Sequence, residues 1–141
     1  MAKGGLLVAS VINLKNGPYK SSDGTTCWYI NGSLSRIDGP AMEYANGDKE
    51  WYYFGKYHRA DGPAVECING YQEWWINDKL HREDGPAIIH ECGLEEWWRH
   101  GKLHRTNGPA IILSNGEGFW FIDGIAVPQP LFQYNWLKEG F

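Results

Sequence analysis

Four phrases in the chain gather side chains that can do chemistry: SLSRIDGPA (33–41), KYHRADGPA (56–64), KLHREDGPA (79–87) and KLHRTNGPA (102–110). From the second copy on, an imidazole, a guanidinium and a turn carboxylate or amide fall within four residues. A His ladder suggests a metal, and an Arg ladder suggests an anion or phosphate. Spacing argues against the metal. If each copy adds two β-strands at ~4.8 Å each, equivalent residues stand ~10 Å apart. Zn–N bonds are ~2 Å, so His58, His81 and His104 cannot share one ion across rungs. Cys67 and His90 share a column and meet the same objection, and the pair His90 and Cys92 lacks a third ligand. No metal and no cofactor are expected. No GxSxG, P-loop, HExxH or GxGxxG motif is present, and recurring His and Glu single out no acid–base pair. The expectation is a non-enzyme.

The phrases belong to an internal repeat. Trp28, Trp51, Trp74, Trp97 and Trp120 are each 23 residues apart, and Gly-Pro-Ala begins at 39, 62, 85 and 108 with the same period. A second aromatic follows each Trp (Tyr29, Tyr52, Trp75, Trp98, Phe121), and two Gly turns punctuate each unit. Asn16-Gly17-Pro18 with Asp23-Gly24 is a degenerate leading unit. Asn-Gly between short β-prone runs such as YQEWWI signals hairpins. No helical periodicity runs through the repeats. The fold expected is all-β: a single domain over 1–141, built as an elongated antiparallel meander of hairpins. About five repeats span 16–127, residues 1–15 form an N-terminal strand or cap, and 128–141 form a C-terminal cap. In that cap Pro130, Phe132 and Trp136 are spaced for a short helix.

Alternation along a strand puts the first Trp of each unit on one face and the second aromatic, with Glu50, Glu73 and Glu96, on the other. The Trp column is therefore expected as core, with the Ala of Gly-Pro-Ala making room for an indole. The second aromatic column is expected to be partly exposed. Asp-Gly-Pro reads as a turn in which Gly supplies backbone freedom and Asp accepts backbone hydrogen bonds, Asn107 retaining the acceptor. The His-Arg column reads first as a turn-bracing stripe, because what every unit needs to stack recurs in every unit. Function is sought where units differ: Tyr53-Phe54 and Arg99-His100 beside the turn after the Trp, and Glu43 and Glu66, which become Ile89 and Ile112.

The net charge of −4 argues against nucleic-acid polymers and anionic membranes as main partners. Three scattered Cys make no disulfide framework and suggest a reducing, cytoplasmic setting. The apolar run near the N-terminus is too short to span a bilayer.

YFGKYH (53–58) and RHGKLH (99–104), each within a 23-residue hairpin unit, resemble the MORN repeat. The His-Arg-x-Asp-Gly-Pro-Ala version is similar to a variant in proteins of tailed bacteriophages and giant viruses. The resemblance implies an elongated β-scaffold that binds or dimerises without catalysis. It extends by analogy to a viral protein that binds and inhibits a host factor, such as an antiviral defence component. The candidate surface is Tyr52, Trp75 and Trp98 ringed by Tyr53, Phe54, Arg99 and His100. The alternative is capture of a small anionic ligand such as a nucleotide, stacked on the aromatics with its phosphate on Arg82 and Arg105. A structural scaffold role and a homodimer complete the expectations.

Overall fold

The computed structural model describes residues 13–129. Most of the N-terminal cap expected over 1–15 and the helix expected within 128–141 lie outside these residues. The described chain is an antiparallel meander from Gly17–Lys20 to Ile125–Val127, and its strands form a 12-stranded sheet. Three two-stranded ribbons accompany it, Tyr52–Tyr53 with Lys56–Tyr57, Trp75–Ile76 with Lys79–Leu80, and Trp98–Arg99 with Lys102–Leu103. Each unit thus crosses the main sheet, bends at its Trp and closes a second hairpin.

Pairing register sorts side chains into two lines. One runs Cys27, Met42, Glu50, Val65, Glu73, Ile88, Glu96, Ile111, Phe119. The other runs Thr26, Glu43, Lys49, Glu66, Gln72, Ile89, Glu95, Ile112, Gly118. Paired residues share a face and sequence neighbours oppose, so these lines lie on opposite faces.

Two kinds of turn join the strands. After each Trp the two loop residues both have positive φ, for example Phe54 at 46° with Gly55 at 79° and His100 at 50° with Gly101 at 76°. This is the two-residue geometry whose twist matches paired strands. Asp78 takes the Gly position in the third unit at φ 61°, and its Oδ1 accepts the Tyr57 N–H at 2.7 Å. The Gly of Gly-Pro-Ala has a different reason from the one expected. Its φ is ordinary, but a Cβ at Gly62, Gly85 or Gly108 would lie 2.8–2.9 Å from the guanidinium carbon of Arg59, Arg82 or Arg105. Glycine is there to let the guanidinium in.

The core also departs from expectation. Ala41, Ala64, Ala87 and Ala110 have no exposed surface, and Val65 and Ile88 join them, whereas the five repeat Trp are only half-buried. Each Ala faces its Trp across the sheet: the N–H of Trp28, Trp51, Trp74 and Trp97 donates to the carbonyl of Ala41, Ala64, Ala87 and Ala110. A one-layer sheet has no second layer to cover an indole. The guanidinium of Arg36, Arg59, Arg82 or Arg105 covers it instead, 3.9–4.0 Å from the ring of Trp28, Trp51, Trp74 or Trp97. Such contacts are worth ~0.5–2 kcal/mol each.

Candidate functional site

The repeated columns are occupied internally. Arg82 stacks on Trp74, donates from Nε to Asp84 Oδ1 at 3.0 Å and from Nη1 to the Pro86 carbonyl at 3.0 Å. Arg36 and Arg59 do the same with Asp38 and Asp61 and also reach Glu43 and Glu66. The turn Asp was expected to bond backbone; its partner is the guanidinium, because the turn folds the Arg side chain back over it. In the last copy Asn107 Oδ1 accepts from Arg105 Nε at 3.2 Å, which retains the bond without the charge.

The imidazoles brace the next unit. Nδ1 of His58, His81 and His104 accepts the backbone N–H of Asn77, His100 and Asp123 at 3.0–3.2 Å. These donors stand at the first positive-φ position of the following turn. Ser35 performs the task in the first unit: its Oγ, on the largest fully buried side chain described, accepts the Phe54 N–H at 3.1 Å. Interchange of Ser and His at this column is explained by one shared acceptor.

The second aromatic column is also tied down. Tyr52 OH, Trp75 Nε1 and Trp98 Nε1 donate to Glu50, Glu73 and Glu96 at 2.9, 2.6 and 2.8 Å. Tyr57 packs on Tyr52 at 4.4 Å between centroids and on Trp75 at 5.5 Å, so the rings form a continuous half-buried stack. Burial beside these carboxylates raises the Tyr52 and Tyr71 phenols, and desolvation pushes Tyr44 up to about 12. This column, expected to be partly exposed, is half-buried and braced by its own carboxylates.

The sequence-marked turn residues that differ between units are exposed. Tyr53 and Phe54 are 47% and 50% exposed and meet edge to face at 4.7 Å. Tyr53 lines a groove of about 590 Å³ with Ile37, His58 and Ala60. Ile37, 85% exposed, was not singled out from the sequence; its place between Arg36 and Asp38, in the variable slot of the phrase, was the available signal. Arg99 and His100 are exposed on the equivalent turn two units later. Arg99 pairs with Glu83, whose carboxyl it holds below the usual range.

Register also brings together groups that same-column spacing kept apart. His81 and His100, 19 residues apart, have ring centroids 4.4 Å apart, and with Glu83 their donor atoms lie within 4.8 Å of one another. The spacing argument excluded equivalent positions only; these occupy different columns of adjacent rungs. An ion there competes with an existing use. His81 Nδ1 already accepts the His100 N–H, which places its proton on Nε2, 2.9 Å from Glu83 Oε1. Ligation through Nε2 would move that proton to Nδ1 and break the turn bond that three other rungs retain.

The nucleotide arrangement does not assemble. The grooves that contain Arg82 and Arg105 are floored by Trp74 and Trp97, while Trp75 and Trp98 line neither. Trp75 and Trp98 share the face of Glu73 and Glu96, opposite the one on which Arg59 meets Glu66. Among the described residues no helix is long and apolar enough to cross a membrane. No family model matches the chain, and no curated protein matches it significantly.

Proposed function

We propose that this protein is a non-catalytic binding module that engages another protein through the edge carrying its irregular turns, and so occludes that protein. In the viral setting its repeat resembles, the partner is a host factor. The carrying observation is Phe54. Its φ of 46° is a left-handed conformation that a bulky aromatic rarely adopts, at a position where other units have Asn, His or Asp. Strain of this kind is retained where a side chain is needed. Phe54 stands half exposed beside Tyr53, which lines the groove holding Ile37, and Arg99 and His100 are exposed on the equivalent turn two units later. Aromatic and Arg side chains are the usual anchors of protein interfaces. The repeated columns support the reading from the other side, since their polar groups are consumed in holding the units together.

The test is affinity capture from a bacterial lysate with the native chain and a Tyr53→Ser, Phe54→Asn double variant. The expected result is one stoichiometric partner with the native protein and none with the variant, at equal thermal stability or better. Equal recovery by both proteins would remove this edge from the interface.

A further inference from the structure

Charge is distributed unevenly along units built to one plan. Over the sixteen residues from each Trp, formal charge is −1 for 28–43, 0 for 51–66, −1 for 74–89 and +3 for 97–112, where no acidic residue occurs. The structure shows what that asymmetry does to the Arg ladder. Arg36 and Arg59 each meet two carboxylates, from the turn Asp and from Glu43 or Glu66. Arg82 meets one, Asp84, because Ile89 replaces the Glu. Arg105 meets none among the described residues: Asn107 replaces the Asp and Ile112 the Glu.

Arg105 is nonetheless held in the pose of the others, 3.9 Å over Trp97 with Nη1 on the Pro109 carbonyl at 3.1 Å. It faces a groove of about 380 Å³ between the third and fourth units. The carboxylates lining that groove, Glu83 and Asp84, are taken by Arg99 and Arg82. Glu95 attracts Arg105 through space without forming an ion pair, and partial burial lowers the Arg105 pKa. A half-buried, pre-oriented guanidinium lacking its carboxylate favours one taken from outside.

We propose that this groove receives an acidic side chain, Asp or Glu, of a protein partner, with Arg105 as its counter-ion. The proposal rests on the reading of the molecule as a protein-binding module and names the chemistry of one contact. The ligand carboxylate stands in for the one that the chain itself supplies in the first three units.

The test uses the full isotope-labelled chain and follows the Nε–H resonances of Arg36, Arg59, Arg82 and Arg105 by NMR. The probes are an end-blocked peptide of alternating Gly and Glu, its Gln counterpart, and inorganic phosphate. The Glu peptide should shift Arg105 saturably and most strongly, with a smaller response at Arg82, which lines the same groove, and leave Arg36 and Arg59 in place, with no response to the Gln peptide and a weaker one to phosphate. Asn107→Asp restores the residue of three units and should retain the fold, as should Ile112→Glu; each should weaken peptide binding at least tenfold. No Arg105 response, equal responses at all four Arg, or undiminished binding by both variants would overturn the proposal. Phosphate binding as tight as the peptide would replace it with a free-anion site. The outcome is separable from lysate capture: a silent Arg105 with a captured partner removes only this contact, and a responsive Arg105 with no partner retains a carboxylate-binding groove but removes the protein partner from both readings.

Discussion

Replacing Phe54 with Asn should make the protein more stable while costing it its partner. A bulky residue in the left-handed region carries ~1–2 kcal/mol of backbone strain, and Asn tolerates that region well. Phe54 is at φ 46° and followed by Gly55, so the substitution creates the Asn-Gly pair that this turn prefers. The opposing loss is the edge-to-face contact with Tyr53, centroids 4.7 Å apart at 79°. Such pairs contribute ~0.5–1.5 kcal/mol, and two rings about half exposed fall at the low end. The N–H of residue 54 continues to donate to Ser35 Oγ, since only the side chain changes. The balance is a gain of about 1 kcal/mol, or a rise in Tm of about 3–5 °C for a chain of this size. Thermal and urea unfolding followed by Trp fluorescence measure it directly. A Tm equal to or below that of the native chain would show that Phe54 is not strained, and the functional reading built on it would go with it.

Three other outcomes follow from the ladder. Arg82→Lys loses the bond to the Pro86 carbonyl and the guanidinium contact with the Trp74 ring, so it should destabilise by about 1 kcal/mol in urea unfolding despite retaining the charge. His81→Ala removes the acceptor of the exposed His100 N–H, which water then solvates, and should cost about 0.5–1 kcal/mol. His81→Ser should recover much of that, because Ser35 accepts the equivalent bond, and hydrogen exchange at His100 reports which holds. Stability should also decline at both pH extremes. Folded Tyr44, Tyr52 and Tyr71 have raised pKa values, so their contribution is complete below the unfolded value of ~10 and is lost as pH climbs through the folded ones. Asp38 and Asp84 are held down by Arg36 and Arg82, so theirs is present above the unfolded value of ~3.9 and disappears as pH falls through the folded ones. Denaturant titrations from acid to alkali, with carboxyl and phenol resonances followed by NMR, test both signs.

The sequence by itself determined the period, the antiparallel hairpins and the two turns of each unit. These are local matters: a 23-residue spacing that never slips, Gly at fixed offsets and β-prone runs between them leave little else for the backbone to do. It also marked Tyr53, Phe54, Arg99 and His100, because departures from a repeat are visible in one dimension. What a column does depends on what lies across the sheet, and tertiary structure alone decided that. Arg59 and Trp51 are eight residues apart in sequence, yet the turn folds one onto the other, and the indole expected in the core became the floor for a cation. His81 meets His100 because register offsets adjacent rungs by 19 residues, a number that appears nowhere in the 23-residue period. Tyr52, Trp75 and Trp98 became ladder rungs because Glu50, Glu73 and Glu96, two residues earlier on the same face, lie within hydrogen-bond reach. Arg105 became the unmatched charge because both of its missing carboxylates are contacts made only once the turn has closed and the strands have paired.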